Sequence, residues 1–391
     1  MASASNPRRF TRSPSSMGLL LGLTVCLTGS PVVADDSAPE RRFVSRANLV
    51  LGLDSDLSAG VSLGDVDGDG DLDALVANGR HWAQANLLFF NNGRGLFTSA
   101  RQVGVDRATS YAAPLVDLDG DGDLDVAVAN DRAPKPLLLN DGSGRFLEAG
   151  TFGRPDANTR GVTVADLDGD GDPDLLVTNR REANAVFLND GTGQFEAGPS
   201  FGDLQSATIA VATGDFDEDG RLDLALANRD GQANAVLLQG EGGAFGDRRP
   251  YGEGDDETRG VAVGDLDGDG HLDLVTANIG QPNGVYFGNG RGAFDRRVSY
   301  GRQDGASYCV RLADFDRDGD LDIAVGNSGQ VNTVYLNQGG ARRFTSQSLG
   351  TEELDTYGLA IGDLDGDGFP DIVEANSGAP NRVYLNRPAP P

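Results

Sequence analysis

Cysteine is almost missing from this chain: among 391 residues only Cys26 and Cys309 carry a thiol. With Cys26 inside a segment expected to be removed, one thiol remains, which excludes an intrachain disulfide as the source of stability. Lysine occurs once, at Lys135, histidine twice and tryptophan once. The scarcity of lysine beside many arginines fits genome composition as easily as physics, so it carries no functional weight. Positive charge is scarce overall, 32 Lys+Arg against 60 Asp+Glu for a net charge of −28. Such a balance excludes a nucleic-acid binder by bulk charge. No apolar run reaches the ~18 residues of a membrane helix, and no segment has helical apolar spacing. Glycine is abundant at 56 residues. Without a triplet period, these glycines read as turn residues of a soluble, β-rich fold.

At the N-terminus Arg8, Arg9 and Arg12 precede the apolar run Met17 to Leu27, and Val32 and Ala34 supply the small residues of a cleavage site. This is the layout of an export signal, residues 1–34, cut after Ala34 and leading to a secreted or periplasmic protein. Phe10-Thr11 after the arginine pair departs from the twin-arginine order and favours the general secretory route. Val25 before Cys26 is too large for lipid attachment. The signal holds three arginines and no acid, so its loss takes the formal charge from −28 to −31.

Acid is concentrated in one motif, which recurs at Asp65, Asp117, Asp166, Asp215, Asp265, Asp314 and Asp363, at intervals of 52, 49, 49, 50, 49 and 49 residues. Each copy, as in DLDGDGDLD from Asp117, keeps aspartate at positions 1, 3, 5 and 9 and glycine at 6. Hard divalent cations take six to eight oxygens, and a tight loop supplies them from alternate side chains, a backbone carbonyl and a closing carboxylate. The candidate ligands are therefore Asp65, Asp67, Asp69 and Asp73; Asp117, Asp119, Asp121 and Asp125; Asp166, Asp168, Asp170 and Asp174; and Asp215, Asp217, Asp219 and Asp223. Asp265, Asp267, Asp269 and Asp273; Asp314, Asp316, Asp318 and Asp322; and Asp363, Asp365, Asp367 and Asp371 complete the set, implying about seven structural calcium ions. An EF-hand is excluded because position 12 is Val76, Val128, Val177, Leu226, Thr276 and Val325 in six copies, with Glu374 in the last.

The flanks are β runs such as GVTVAD before the loop and DLLVTN after it. Each repeat then has a polar turn, a second apolar run such as NAVFLND, a glycine turn and an amphipathic strand, four strands in all. A four-stranded unit repeated seven times predicts an all-β, seven-bladed β-propeller. The seventh repeat lacks its fourth strand, while RRFVSRANLVLG from Arg41 is like the fourth strand RRFTSQSLG from Arg342. The ring is thus expected to close by the N-terminal strand completing the last blade. The expected organisation is a short leader at 35–42, the propeller at 43–387 with 43–52 as its closing outer strand, and a tail at 388–391.

The motif D-x-D-x-D-G-x-x-D in every repeat is similar to the FG-GAP or VCBS-type repeat of bacterial secreted proteins and integrin α-subunit propellers. That resemblance covers essentially the whole mature chain. It implies calcium between the first and second strands of each blade, as structural support rather than chemistry. Integrins carry the loop in only some blades, whereas here every copy has it.

Loops repeated seven times serve a scaffold, so function is sought on the opposite face, where the repeats differ. Seven residues before each loop stands Ser58, Ser110, Thr159, Thr208, Thr258, Ser307 or Thr356, read as backbone bonding at a strand start. The following residue varies: Ala59, Tyr111, Arg160, Ile209, Arg259, Tyr308 and Tyr357, five of them able to ring a channel mouth. Arg311 occupies a slot that is small in the other copies and must reach a partner or a ligand. The turns after strand two add Arg80, Arg132, Lys135, Arg180, Arg181 and Arg229, and the longest holds His81 and Trp82. Arg80, Trp82, Arg160, Arg259 and Arg311 are the candidate ligand-binding residues. The leading function is a binding module for a carbohydrate or anionic ligand. The alternatives are a polysaccharide lyase or related sugar-active enzyme using Tyr111, Tyr308, Tyr357 or His81 as acid or base, and a structural or adhesive cell-surface component.

Overall fold

The structure, a computed structural model, describes residues 41–389; the expected export signal, its cleavage point and nearly all of the leader lie outside the described residues. Every element among the described residues is a β-strand. None of them is a helix long and apolar enough to cross a membrane.

Seven sheets of four antiparallel strands stand in a ring. Blade 1 runs Ser58–Gly64, Asp73–Asn78, Gln84–Phe90 and Ser99–Ala108. Blade 5 repeats the plan with Thr258–Gly264, Asp273–Asn278, Asn283–Phe287 and Arg296–Tyr300. Second strands such as Asp73–Asn78 and Asp273–Asn278 are buried along their whole length. They lie between two strands of their own sheet and two neighbouring blades, so both faces must be apolar. Fourth strands such as Phe146–Thr151 lie on the rim and are largely exposed.

The core is divided among the seams. Leu75 and Leu88 of blade 1 pack with Val126 and Leu138 of blade 2, and equivalent clusters fill the other seams. The seam between blades 7 and 1 joins Val373 and Val383 to Val61 and Val76. Ring closure is as expected: Arg41–Val44 pairs with Leu385–Pro388 on the outside of blade 7. The pairing already includes Arg41 and Arg42, is interrupted beyond Val44, and resumes at Val50–Leu51 against Asn381 and Arg382.

Two polar ladders, both invisible as ladders in the sequence, stitch the blades. In the first, the Ser/Thr hydroxyl at each strand start donates to the side-chain oxygen of the asparagine ending strand two, as in Ser58 to Asn78 at 2.8 Å and Thr258 to Asn278 at 2.9 Å. This corrects the expectation of backbone bonding: it is the asparagine amide that reaches a backbone carbonyl, from Asn278 to Pro282 O at 2.8 Å. The asparagine opening strand three then donates to the next blade's hydroxyl, as in Asn234 to Thr258 at 2.8 Å and Asn332 to Thr356 at 2.7 Å. In the second ladder, the asparagine or glutamine ending strand three donates to the acidic loop of the preceding blade, as in Asn189 to Leu118 O and Gln239 to Leu167 O, both 2.9 Å.

Candidate functional site

The acidic loops all leave one face of the disc. Position 6 needs glycine because its φ is positive, 90° at Gly70 and 91° at Gly270. Position 1 accepts two backbone N–H groups of its own loop: Asp65 takes Gly68 at 2.8 Å and Gly70 at 3.0 Å. Position 9 is buried and ties the loop to the sheet. Asp125 accepts Leu118 N–H at 2.9 Å on one oxygen and Asn140 N–H at 2.8 Å on the other. Burial pushes its carboxyl up to about 6 and that of Asp322 up to about 7, against those N–H bonds, which act in the opposite sense.

These side chains converge. Carboxylate oxygens of Asp65, Asp67 and Asp73 lie within 4.8 Å of one another, as do those of Asp117, Asp119 and Asp125 and of Asp215, Asp217 and Asp223. Such clusters could hold metal ions. In the first four loops the trio is positions 1, 3 and 9, while the fifth brings together Asp265, Asp267 and Asp269. In these five loops, three of the four carboxylates expected from the sequence come together. Buried oxygens without a hydrogen-bond partner occur on Asp67, Asp217, Asp267 and Asp314. A cation is the kind of partner such oxygens lack.

The opposite face carries the strand two–three turns and the connections between blades, which bond to each other: Arg181 N–H donates to Ser206 O at 2.7 Å, and Gly79 N–H to Leu57 O at 3.0 Å. At the centre is a cavity of about 480 Å³, and all seven variable residues, Ala59, Tyr111, Arg160, Ile209, Arg259, Tyr308 and Tyr357, line it together with Arg311. The variable slot therefore marks the channel mouth, as expected.

The arginines there divide into two groups. Arg160 pairs with Asp131 at 3.0 Å and lies over the Tyr111 ring. Arg180 and Arg181 share Asp230, and Arg229 pairs with Glu257. Lys135 is buried, with its ammonium on the carbonyls of Ala133 and Arg154. Of the basic charge expected on the turns, that of Arg180, Arg181 and Arg229 is neutralised by acids of the following turn or connection, and that of Lys135 is withdrawn onto backbone carbonyls.

Arg80, Arg259 and Arg311 have no carboxylate partner among the described residues. Arg259 rests on the Tyr308 ring at 4.4 Å and nears the Tyr357 ring at 5.8 Å, with its Nε buried and unpartnered. Arg80 covers Tyr357 at 3.7 Å, and Tyr308 meets Tyr357 edge to face at 4.6 Å. Burial, then Arg229 nearby, pulls the Arg259 guanidinium down to about 10, still charged at neutral pH. Arg311 projects into the cavity with a single hydrogen bond, to Val310 O at 2.9 Å.

Trp82 is 74% exposed rather than packed under its loop. That loop turns at Gly79, whose φ is 101° and where a Cβ would lie 2.2 Å from Ala108 O. His81 is held below its usual range by partial desolvation and then by Arg80, Arg160 and Arg259. Burial pushes the Tyr357 hydroxyl up to about 12, which disfavours it as a base.

The FG-GAP-like repeat family matches this chain over residues 65–128, 117–177, 166–226, 215–276, 265–325 and 314–374, each match running from one acidic loop into the second strand of the next blade. No curated protein matches it. Two crystal structures of BBS1N in complex with ARL6DN, one soaked with mercury and one with lead, share the fold with TM-scores of 0.56 and 0.57. Each is 11% identical, over 88% of this chain and 96% of the other. At that identity the likeness concerns the fold alone.

Proposed function

The chain belongs to the FG-GAP-like repeat family, and from that premise we propose an exported, calcium-stabilised β-propeller that holds an anionic ligand, an acidic carbohydrate above all, at the channel mouth opposite its acidic loops. The observation that carries this reading is the cavity lining. In a chain of net charge −28, the cavity on the ring axis is lined by Arg160, Arg259 and Arg311 and, among the described residues, by no aspartate or glutamate. Arg160 already has Asp131 beside it, whereas Arg259 and Arg311 have no counter-charge among the described residues, and a bound carboxylate or sulfate supplies one through charge-assisted, two-pronged hydrogen bonds. The exposed Trp82 adds flat apolar surface of the kind that sugar rings stack on.

Calcium fits the opposite face, where crowded carboxylates, some with unpartnered buried oxygens, need positive charge. There it supplies charge neutralisation and loop rigidity, and the chemistry of ligand binding stays with the channel.

A second reading, a lyase for acidic sugars, draws on one observation: desolvation and the neighbouring arginines shift His81 towards the uncharged form that a general base uses. A third, docking of a protein, draws on the exposed side chains of Leu53, Trp82 and Leu204, all on the turn face. BBS1N, which shares the fold, is in complex with ARL6DN in its crystals.

The test is retention of the protein on immobilised acidic and neutral polysaccharides. The double substitution Arg160→Ala/Arg259→Ala should abolish retention on the acidic members and leave the fold intact by circular dichroism. Unchanged retention removes the ligand from the mouth. Ultraviolet-absorbing unsaturated products in the same incubations would assign the lyase instead.

A further inference from the structure

We propose that the channel holds a second anion subsite at Arg311, below the mouth, so that an acidic oligosaccharide enters end-on and presents two acidic groups along the ring axis. This rests on the reading that the mouth binds an anion. Arg311 and Tyr308 lie on one inner strand, Ser307–Ala313, three residues apart. An extended strand rises about 3.3 Å per residue, which sets the two levels about 10 Å apart along the channel.

The inner slot filled by Arg311 holds only Ser, Pro, Thr or Ala in the other blades. One long cation therefore breaks an otherwise small ring, and it is exposed within the axial cavity rather than folded onto an acid. The cavity offers it little else. At its own level Ser62 and Thr163 spend their hydroxyl protons on the backbone carbonyls of Ala113 and Val211, at 3.0 and 3.1 Å. The hydroxyl protons are thus committed to the protein, and the positive charge of Arg311 is what remains to select a ligand at that depth.

Lateral binding of a polymer across the mouth would engage Arg80 and Arg259 and never reach Arg311. End-on entry uses both levels, and the chain end becomes the recognised feature. The shared chemistry is a pair of acidic groups, carboxylate or sulfate, on one oligosaccharide end.

The experiment is calorimetric titration of the full protein with galacturonic acid, its di- and trisaccharide, and heparin-derived oligosaccharides, with neutral oligosaccharides as controls. In one of the two acidic series, the longer ligands should bind about tenfold or more tighter than the monosaccharide, the scale of one charge-assisted contact out of water. Arg311→Ser should erase that preference while monosaccharide affinity stays the same, and Arg311→Gln should do likewise. Arg259→Met should abolish binding of every length. A length preference that survives both Arg311 variants overturns the second subsite and leaves the mouth standing. Failure of every acidic ligand to bind the unaltered protein overturns the mouth reading and the subsite with it.

Discussion

At the residue scale the unpaired arginines set affinity against stability. A guanidinium partly withdrawn from water without a counter-charge costs free energy until the ligand arrives. Arg259→Met keeps the stem and its contact with Tyr308 and removes the charge. The ligand-free variant is expected to be more stable than the parent by about 1 kcal/mol, read by denaturant unfolding, while losing the ligand. A loss of stability would mean that Arg259 holds the mouth together rather than waiting for an anion. The sequence made Arg259 visible as a cation in a variable slot and Arg311 as the break in a small one. It could not separate them from Arg160, Arg180, Arg181 and Arg229, whose acids lie in turns of the same or adjacent blades. A charge's partner is a three-dimensional fact, and the repeat period says only which slot a residue fills.

At the scale of the strand, Glu374 is the one acid in a slot that is otherwise uncharged. It sits in the second strand of blade 7, Asp371–Asn376, buried against blade 6, and accepts the Asn332 amide at 2.6 Å. Burial pushes its carboxyl up to about 7; Asn332 and Asn376 lower it, Arg382 lowers it further, and Glu352 raises it, while Tyr384 and Cys309 are the other titratable groups nearby. A folded-state value above the unfolded one means that the fold holds a proton the unfolded chain has lost. Stability from this group is therefore complete below about 4.5 and is lost as pH rises through about 7. Glu374→Gln should remove that slope: equal to the parent at pH 4.5, more stable at pH 8 by about 2–3 kcal/mol in denaturant unfolding. A difference independent of pH would assign the effect to packing instead. Strand order and blade number were legible from the alternation of residues and the recurrence of DxDxDG. The hydroxyl–asparagine ladder was not, although its signs, Ser/Thr before strand one and Asn after strand two, stood in every repeat. Two regular positions twenty residues apart do not announce that they touch.

At the scale of the whole molecule the acidic loops act together. Seven clusters on one face repel one another and themselves, and ions bound only by the folded state add stability through mass action. Excess chelator should lower the melting temperature steeply, and calcium should restore it; an unmoved transition in chelator would show that the ring stands without metal. The second ladder gives the effect reach. The position 9 carboxylate of one loop accepts from a strand-three asparagine whose amide grips the loop of the preceding blade. Removing the ion from one loop should therefore loosen two blades.

Closure of the ring brings together parts of the chain that are made far apart in time. Arg41 Nε donates to Asn386 Oδ1 at 3.0 Å, across a separation of 345 residues. During translation the outermost strand of blade 7 is made before any complete blade and meets its partner last. Seams between consecutive blades can form as each is completed, but the last must wait for a search over nearly the whole chain. Until that search succeeds, Asn381–Pro388 presents a bare strand edge that another molecule's early strand could occupy as readily as its own. Concentration during refolding should therefore decide between closed monomers and chains linked head to tail.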